Sequence, residues 1–166
     1  MVTFRIDKSE SLQGGKLSVR GIYRMRLDML RADRSKAGNY MATWKALVED
    51  GPEKGRVCYG QLMCADSTGQ PYAWAGRVWM EFLEGIGYTR EDAGDILDSG
   101  FEWDGIEAWG SDHVVGQSGW LEFTPPVGEG SFAETEWLRE SEAESRKAIA
   151  AEAAAARASL DADVPF

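Results

Sequence analysis

The chain of 166 residues is acidic as a whole, with 28 Asp and Glu against 18 Lys and Arg and a formal net charge of −10. Its length suits one domain with a real hydrophobic core plus short extensions. No apolar run approaches the roughly 18 residues of a membrane-spanning helix, and no signal peptide is recognised, so we expect a cytoplasmic protein without membrane association.

The charge is unevenly distributed along the chain. Residues 1–60 carry 12 basic and 7 acidic side chains, whereas residues 61–166 carry 6 and 21. The acidic total is consistent with simple solubility, but a basic first third also suits a nucleic-acid surface, with the acidic remainder facing a protein partner.

The two cysteines, Cys58 and Cys64, lie six positions apart on one predicted strand or its exit. At that spacing they cannot pair with each other without large distortion, so we expect free thiols in a reducing compartment. His113 is the only histidine and cannot complete a zinc site with them. We expect neither a metal nor another cofactor.

Residues 21–64 contain three extended runs joined by short Gly-, Asp- and Lys-rich turns at 34–39 and 50–55. Strict alternation predicts a half-buried sheet whose opposite face carries Arg24, Arg26 and Lys45. The segment therefore predicts a three-stranded antiparallel meander. Its apolar face is formed by Tyr23, Met25, Leu27 and Met29 in the first run and Tyr40, Ala42, Trp44, Ala46 and Val48 in the second.

After residue 64 the spacing of apolar residues changes from every second position to the spacing of a helix. Apolar residues recur every three or four positions over residues 71–87, which predicts a helix. Thr89 has the character of an N-cap, and Gly100 of a stop, for a second, short helix. Beyond it, residues 101–126 are expected to supply two more strands, near 114–117 and 120–123.

This order of elements predicts a mainly β fold: a five-stranded OB-fold barrel over residues 20–126, with a helix between strands 3 and 4. Residues 1–19 form an N-terminal arm, either an edge strand or a loose segment. Residues 127–160 are a linker followed by an Ala- and Glu-rich C-terminal helix with high helix propensity, with a disordered linker as the alternative.

The last six residues, 161–166, form an acidic tail that ends in Val-Pro-Phe. It is either a plain polar chain end or an element whose apolar residues fill a partner's pocket while its acids meet basic residues around the rim. On the second interpretation, the partner-binding residues are Asp161, Asp163, Val164, Pro165 and Phe166.

The tail resembles the acidic C-terminal tip of bacterial single-stranded-DNA-binding proteins, with Val164 in place of the usual Ile and Ala162 in place of one acid. The body, over residues 18–124, resembles a family of phage-encoded OB-fold proteins, some described as single-stranded-DNA-binding. The likeness rests on patterning and short sequence motifs, and residues 101–112 do not match that family. The matching motifs are Gly21-Ile22-Tyr23, Gly51-x-x-Lys54-Gly55-Arg56 and Phe82-Leu83-Glu84-Gly85-Ile86-Gly87.

The resemblance implies a bacteriophage protein that coats and protects single-stranded DNA without sequence specificity in the bacterial cytoplasm. Through its tip it would recruit proteins of DNA replication, recombination and repair. The bacterial proteins suggested by the tail are usually tetramers, but the likeness of the body carries no such implication, so a homo-oligomer stays open.

The residues themselves fit this function, because a single-strand binder needs cations along the phosphates and flat side chains on which bases stack. For each cation the alternative is a solvated strand face, and Tyr40 and Trp44 fit the core better. The candidate DNA-binding residues are Arg24, Arg26, Arg31, Arg34, Lys36, Lys45, Lys54 and Arg56 as cations and Tyr59 and Trp109 as stacking platforms.

The sequence does not suggest an enzyme. It has no nucleophile beside a base and no Gly-x-x-x-x-Gly-Lys phosphate loop. Two other functions stay open: an acidic accessory factor of a phage recombinase or replisome that never touches DNA, and a metal-dependent nuclease that uses the acids of residues 101–112.

Overall fold

The computed structural model describes residues 15–162. Five antiparallel strands form one sheet in the order β3-β2-β1-β4-β5, curled into a half-barrel. The strands are β1 (Gly21–Arg34), β2 (Tyr40–Val48), β3 (Val57–Ala65), β4 (Ser118–Thr124) and β5 (Glu134–Leu138). The α-helices are α1 (Ala75–Gly85), α2 (Arg90–Ser99), α3 (Ile106–His113), which follows a 3-10 turn at Trp103–Gly105, and α4 (Glu140–Ala162).

The predicted meander is confirmed, and its first strand is the central strand of the sheet. β1 pairs with β2 along most of its length and with β4 at its beginning. The two turns depend on glycine, because Gly38 and Gly51 have φ angles of 83° and 78°, which other residues rarely adopt. Short Gly-containing turns therefore fix the register of the three strands.

A β-bulge in β1 corrects the expected strict alternation. The pairing with β2 shifts register between Leu27 and Met29, so Leu30 is buried in place of Met29. One extra residue in a strand moves every later side chain to the opposite face. The bulge therefore places Arg31 on the same face as Arg26, where uninterrupted alternation would have placed it in the core.

The hydrophobic core lies between the inner face of the sheet and helices α1–α3. Trp44 reaches across β3 because Gly60 leaves it room, since a Cβ atom there would overlap the indole ring. Helix α3 approaches β1 closely, and a Cβ on Gly110 would lie 2.8 Å from Leu30. Close packing of this kind fills these parts of the inner face.

Several predicted elements between β3 and β4 need correction. The helix predicted from residue 71 begins at Ala75, while Thr89 caps α2 through the Asp92 backbone N–H, as expected. Residues 106–113 form helix α3, which the sequence did not predict, and residues 114–117, which were expected to form a strand, belong to a turn and its exit. Only one strand, β4, therefore lies within residues 101–126.

The fifth strand comes from a segment that was expected to be linker and helix. β5 pairs with β4 and places Trp137 opposite Leu121, with Leu138 completely buried. Burying these two large side chains outweighs the helix propensity of the neighbouring residues. The sheet thus continues past residue 126, and helix α4 begins only at Glu140.

Within residues 15–162, no helix combines the length and apolar character needed to cross a bilayer. Most of the N-terminal arm, residues 1–14, lies outside the described residues, as does most of the acidic tip, residues 163–166. The described part of the arm runs beside the start of β3, where Lys16 forms a parallel bridge with Val57.

Candidate nucleic-acid interface

The outer face of the sheet, opposite helices α1–α3, has two halves. The outer face of β1–β3 is here named the meander half, and the outer face of β4 and β5, on which helix α4 lies, the covered half. Cross-strand pairing aligns the side chains of the meander half in rows, with Lys45 beside Tyr59 and Arg31 beside Thr43. Directly opposed side chains on one face have Cβ atoms about 5 Å apart and contact each other.

Four of the predicted cations share the meander half, because they occupy outward positions of β1 and β2. Arg26 forms no ion pair with any residue of 15–162. The other three have carboxylate partners: Arg24 with Glu49 at 3.7 Å, Arg31 with Asp33 at 3.8 Å and Lys45 with Asp28 at 3.3 Å. Exposed ion pairs contribute only about 0.2–1 kcal/mol, so these carboxylates hold the cations weakly.

Tyr59 is the aromatic residue of the meander half that faces solvent. Its side chain is 48% exposed, and its direct neighbour on β2 is Lys45. Both side chains point away from the core, whereas their chain neighbours Cys58 and Trp44 are buried. One exposed ring and one cation therefore lie side by side on this face.

The remaining cations lie at the two ends of the meander. At the β1–β2 end, the guanidinium of Arg34 lies 3.9 Å from the ring of Tyr40, and Lys36 is exposed in the turn. At the β2–β3 end, Lys54 is exposed, and Arg56 pairs with its neighbour Glu53 at 3.5 Å. These cations extend the basic surface along the meander, but they do not converge with one another.

Trp109 is separated from the cations by the sheet. It lies on α3, the helix that packs on the inner face, and its ring centroid is 4.8 Å from Phe101 and 5.7 Å from Trp79. Its Nε1 atom is buried. The structure thus places Trp109 in an aromatic cluster of the core, and Trp44, which is 2% exposed, is a core residue as expected.

The covered half is built from the first turns of helix α4 and the outward side chains of β4 and β5. Arg146 binds two carboxylates, Glu122 at 3.1 Å and Glu136 at 2.8 Å. Lys147 places its ammonium 3.4 Å from the centre of the Trp120 ring. Sequence alternation could have shown Trp120 to face outward, since Leu121 and Phe123 face the core.

Ionisation follows from these contacts. The hydrogen bond from Arg146 lowers the pKa of Glu136 below its ordinary value of 4.5, more than its partial burial raises it. The same ion pairs raise the pKa of Arg146. Arg146 and Glu136 are therefore both charged at neutral pH.

The two thiols are free and lie in or beside the core. Burial raises the pKa of both Cys58 and Cys64 to about 11, so neither is a thiolate at neutral pH. No cluster of three His, Cys, Asp or Glu residues that could hold a metal ion occurs within residues 15–162. His113 packs its ring against Trp109, 5.0 Å away between centroids.

Neither a protein-family model nor a curated protein sequence matches this chain.

Proposed function

We propose that the protein binds single-stranded DNA without sequence specificity through the meander half of an OB-like half-barrel. The strand order β3-β2-β1-β4-β5 is the order of an OB-fold barrel opened between strands 3 and 5. Such barrels bind oligonucleotides on the face of strands 2 and 3. In this chain that face carries Lys45 and Tyr59.

The observation that carries the proposal is the pairing of Lys45 with Tyr59, flanked on the same face by Arg26 and Arg31. A base can stack on the exposed ring while its phosphates contact the cations on either side. The acids beside these cations do not prevent binding, because a phosphate can replace a carboxylate in an exposed ion pair at little cost.

We also propose that the acidic tip recruits proteins of replication, recombination or repair. The tip follows helix α4, whose last 15 residues, from Ala148 to Ala162, are exposed. At 1.5 Å per residue this exposed part of the helix is roughly 20 Å long. Deletion of residues 164–166 should leave DNA affinity intact or raise it and abolish capture of replication proteins, and undiminished capture would refute this role.

The test of DNA binding is titration with labelled oligo-dT, followed by the anisotropy of the label, at low and moderate salt. Saturable binding that weakens with salt is expected, because phosphate binding releases counterions. Arg26→Ala should reduce the slope of log affinity against log salt by about 0.7, the contribution of one phosphate contact on a single strand.

Arg77→Ala is the matched control, because Arg77 lies on α1 at the other side of the sheet, where its ion-pair partner among residues 15–162 is Glu81, at 3.5 Å. Equal slopes of log affinity against log salt for Arg26→Ala and Arg77→Ala would show that the DNA does not contact Arg26. No binding at any salt would support the accessory-factor function, for which the exposed length of helix α4 offers a contact surface. Metal-dependent cleavage of the oligonucleotide would reveal a nuclease.

A further inference from the structure

We infer that Trp120 is a second base-stacking position, closed by helix α4 in this structure and opened when the first turns of the helix leave the sheet. The inference rests on the proposed function and extends it from the meander half to the covered half.

The position of Trp120 makes it continuous with the meander half. It lies on β4 directly opposite Arg24 of β1, and the Arg24 guanidinium is 5.4 Å from the centre of the indole ring. Arg26 follows on the same face of β1. Three strand spacings and about four residues along a strand separate Tyr59 from Trp120, roughly 20 Å in all. A single strand that contacts Tyr59 and Arg26 can therefore continue to Trp120.

Helix α4 occupies the surface on which a base would stack. Lys147 lies 3.4 Å from the centre of the Trp120 ring, so its ammonium takes the place of a stacked base. The indole Nε1 is buried and has no hydrogen-bond partner within residues 15–162. An unpaired buried donor is unfavourable, so the closed arrangement leaves this side chain incompletely satisfied.

The attachment of α4 is short. Ala143 is the one buried residue of the helix, and Arg146 and Lys147 supply its polar contacts to β4 and β5. Every residue from Ala148 to Ala162 is exposed. Alanine-rich helix of this length keeps much of its structure without support from a sheet, so undocking does not require the helix to unfold.

A tether just before the helix would keep it near the sheet. Arg139 pairs with Glu84 of α1 at 2.6 Å, and the Glu84 side chain is only 9% exposed. The helix can thus pivot about this ion pair while β5 stays in place. Once displaced, Lys147 is free to contact a phosphate of the strand that stacks on Trp120.

The test compares two variants of the full chain with the same change of charge. Arg146→Glu places an acid against Glu122 and Glu136 and should undock α4, whereas Arg157→Glu alters an exposed position of the same helix. On charge alone both variants should bind oligo-dT slightly more weakly. We expect Arg146→Glu instead to bind an oligonucleotide of about twelve nucleotides roughly threefold to tenfold more tightly than Arg157→Glu, because one more base stacks, on Trp120.

Trp120→Ala in the Arg146→Glu background should abolish this gain in affinity, because it removes the added stacking position. Acrylamide quenching of the tryptophan fluorescence should be stronger in Arg146→Glu than in the wild type, because undocking of α4 exposes Trp120. Replacing Trp120 by Phe in the Arg146→Glu background should return the quenching to the wild-type level. Lys147→Met, which leaves both Arg146 ion pairs intact, should give part of the gain in affinity. It is the variant to measure if Arg146→Glu folds poorly.

Equal affinities of Arg146→Glu and Arg157→Glu, or a gain that survives Trp120→Ala, would overturn the inference while leaving the proposed function intact. Absence of salt-dependent binding by the wild-type chain would overturn both.

Discussion

The meander half and the covered half share one face of one sheet, but they are stabilised by different interactions. In the covered half, Leu138 and Ala143 are buried, and Arg146 joins the helix to two strands. In the meander half, Arg24, Arg31 and Lys45 each pair with a single carboxylate, and the ring of Tyr59 beside Lys45 is exposed. The comparison indicates that helix α4 holds the covered half closed in this structure, whereas Arg26, Arg31 and Tyr59 of the meander half are exposed.

The largest expected difference between the halves is in stability. Leu138→Ala should lower the free energy of unfolding by about 2–5 kcal/mol, because it leaves a cavity beneath helix α4. Leu47→Ala, at a half-buried position of the meander half, should lower it by about 1 kcal/mol or less. Urea unfolding followed by circular dichroism measures both, and equal losses would remove the distinction between the halves.

The next largest effect is on DNA affinity. Tyr59→Ala should weaken oligo-dT binding by about 1–3 kcal/mol, the contribution of one stacked base, without a large loss of stability. Trp74→Ala is the control, since Trp74 is 43% exposed but lies beside helix α1. Anisotropy of a labelled oligonucleotide gives both affinities, and a larger loss for Trp74→Ala would move the binding surface to the helices.

The smallest effect is a pH dependence confined to the covered half. Because Arg146 lowers the pKa of Glu136 below 4.5, the stabilisation from this pair is fully present above pH 4.5. It is lost as the pH falls through the lower folded-state pKa, when Glu136 takes up a proton. An exposed pair of this kind contributes up to about 1 kcal/mol.

Amide hydrogen exchange in the first turns of α4 measures this contribution. Protection should fall on acidification once the intrinsic pH dependence of exchange is subtracted, and the fall should be smaller in Glu136→Gln, which has no charge to lose. An identical pH profile in Glu136→Gln would show that another group holds the helix.

The part of this molecule that sequence predicts well is local in origin. Period-two patterning and glycine turns define the meander, and Thr89 caps its helix as a capping residue should. The meander positions of Arg26, Lys45 and Tyr59 follow from the same patterning. Arg31 does not, because its face depends on a bulge that leaves no clear mark in the sequence.

What sequence fails to predict depends on contacts between distant segments. Trp137 and Leu138 belong to a strand because β4 is available to pair with them, although the residues that follow favour a helix. Trp109 was expected beside the cations, but helix α3 places it against Phe101 and Trp79 in the core. The outward position of Trp120 could have been predicted from alternation, but its contact with Lys147 depends on the position of helix α4.

The measurement that tests the central claim most directly is mapping of oligo-dT contacts by backbone amide chemical shifts in the full chain. Binding through the meander half predicts salt-sensitive shifts that cluster at Arg26, Arg31, Lys45 and Tyr59 and that are small along helices α1 and α2. Shifts concentrated on those helices, or no shifts at low salt, would contradict the assignment of the meander half as a surface for single-stranded DNA.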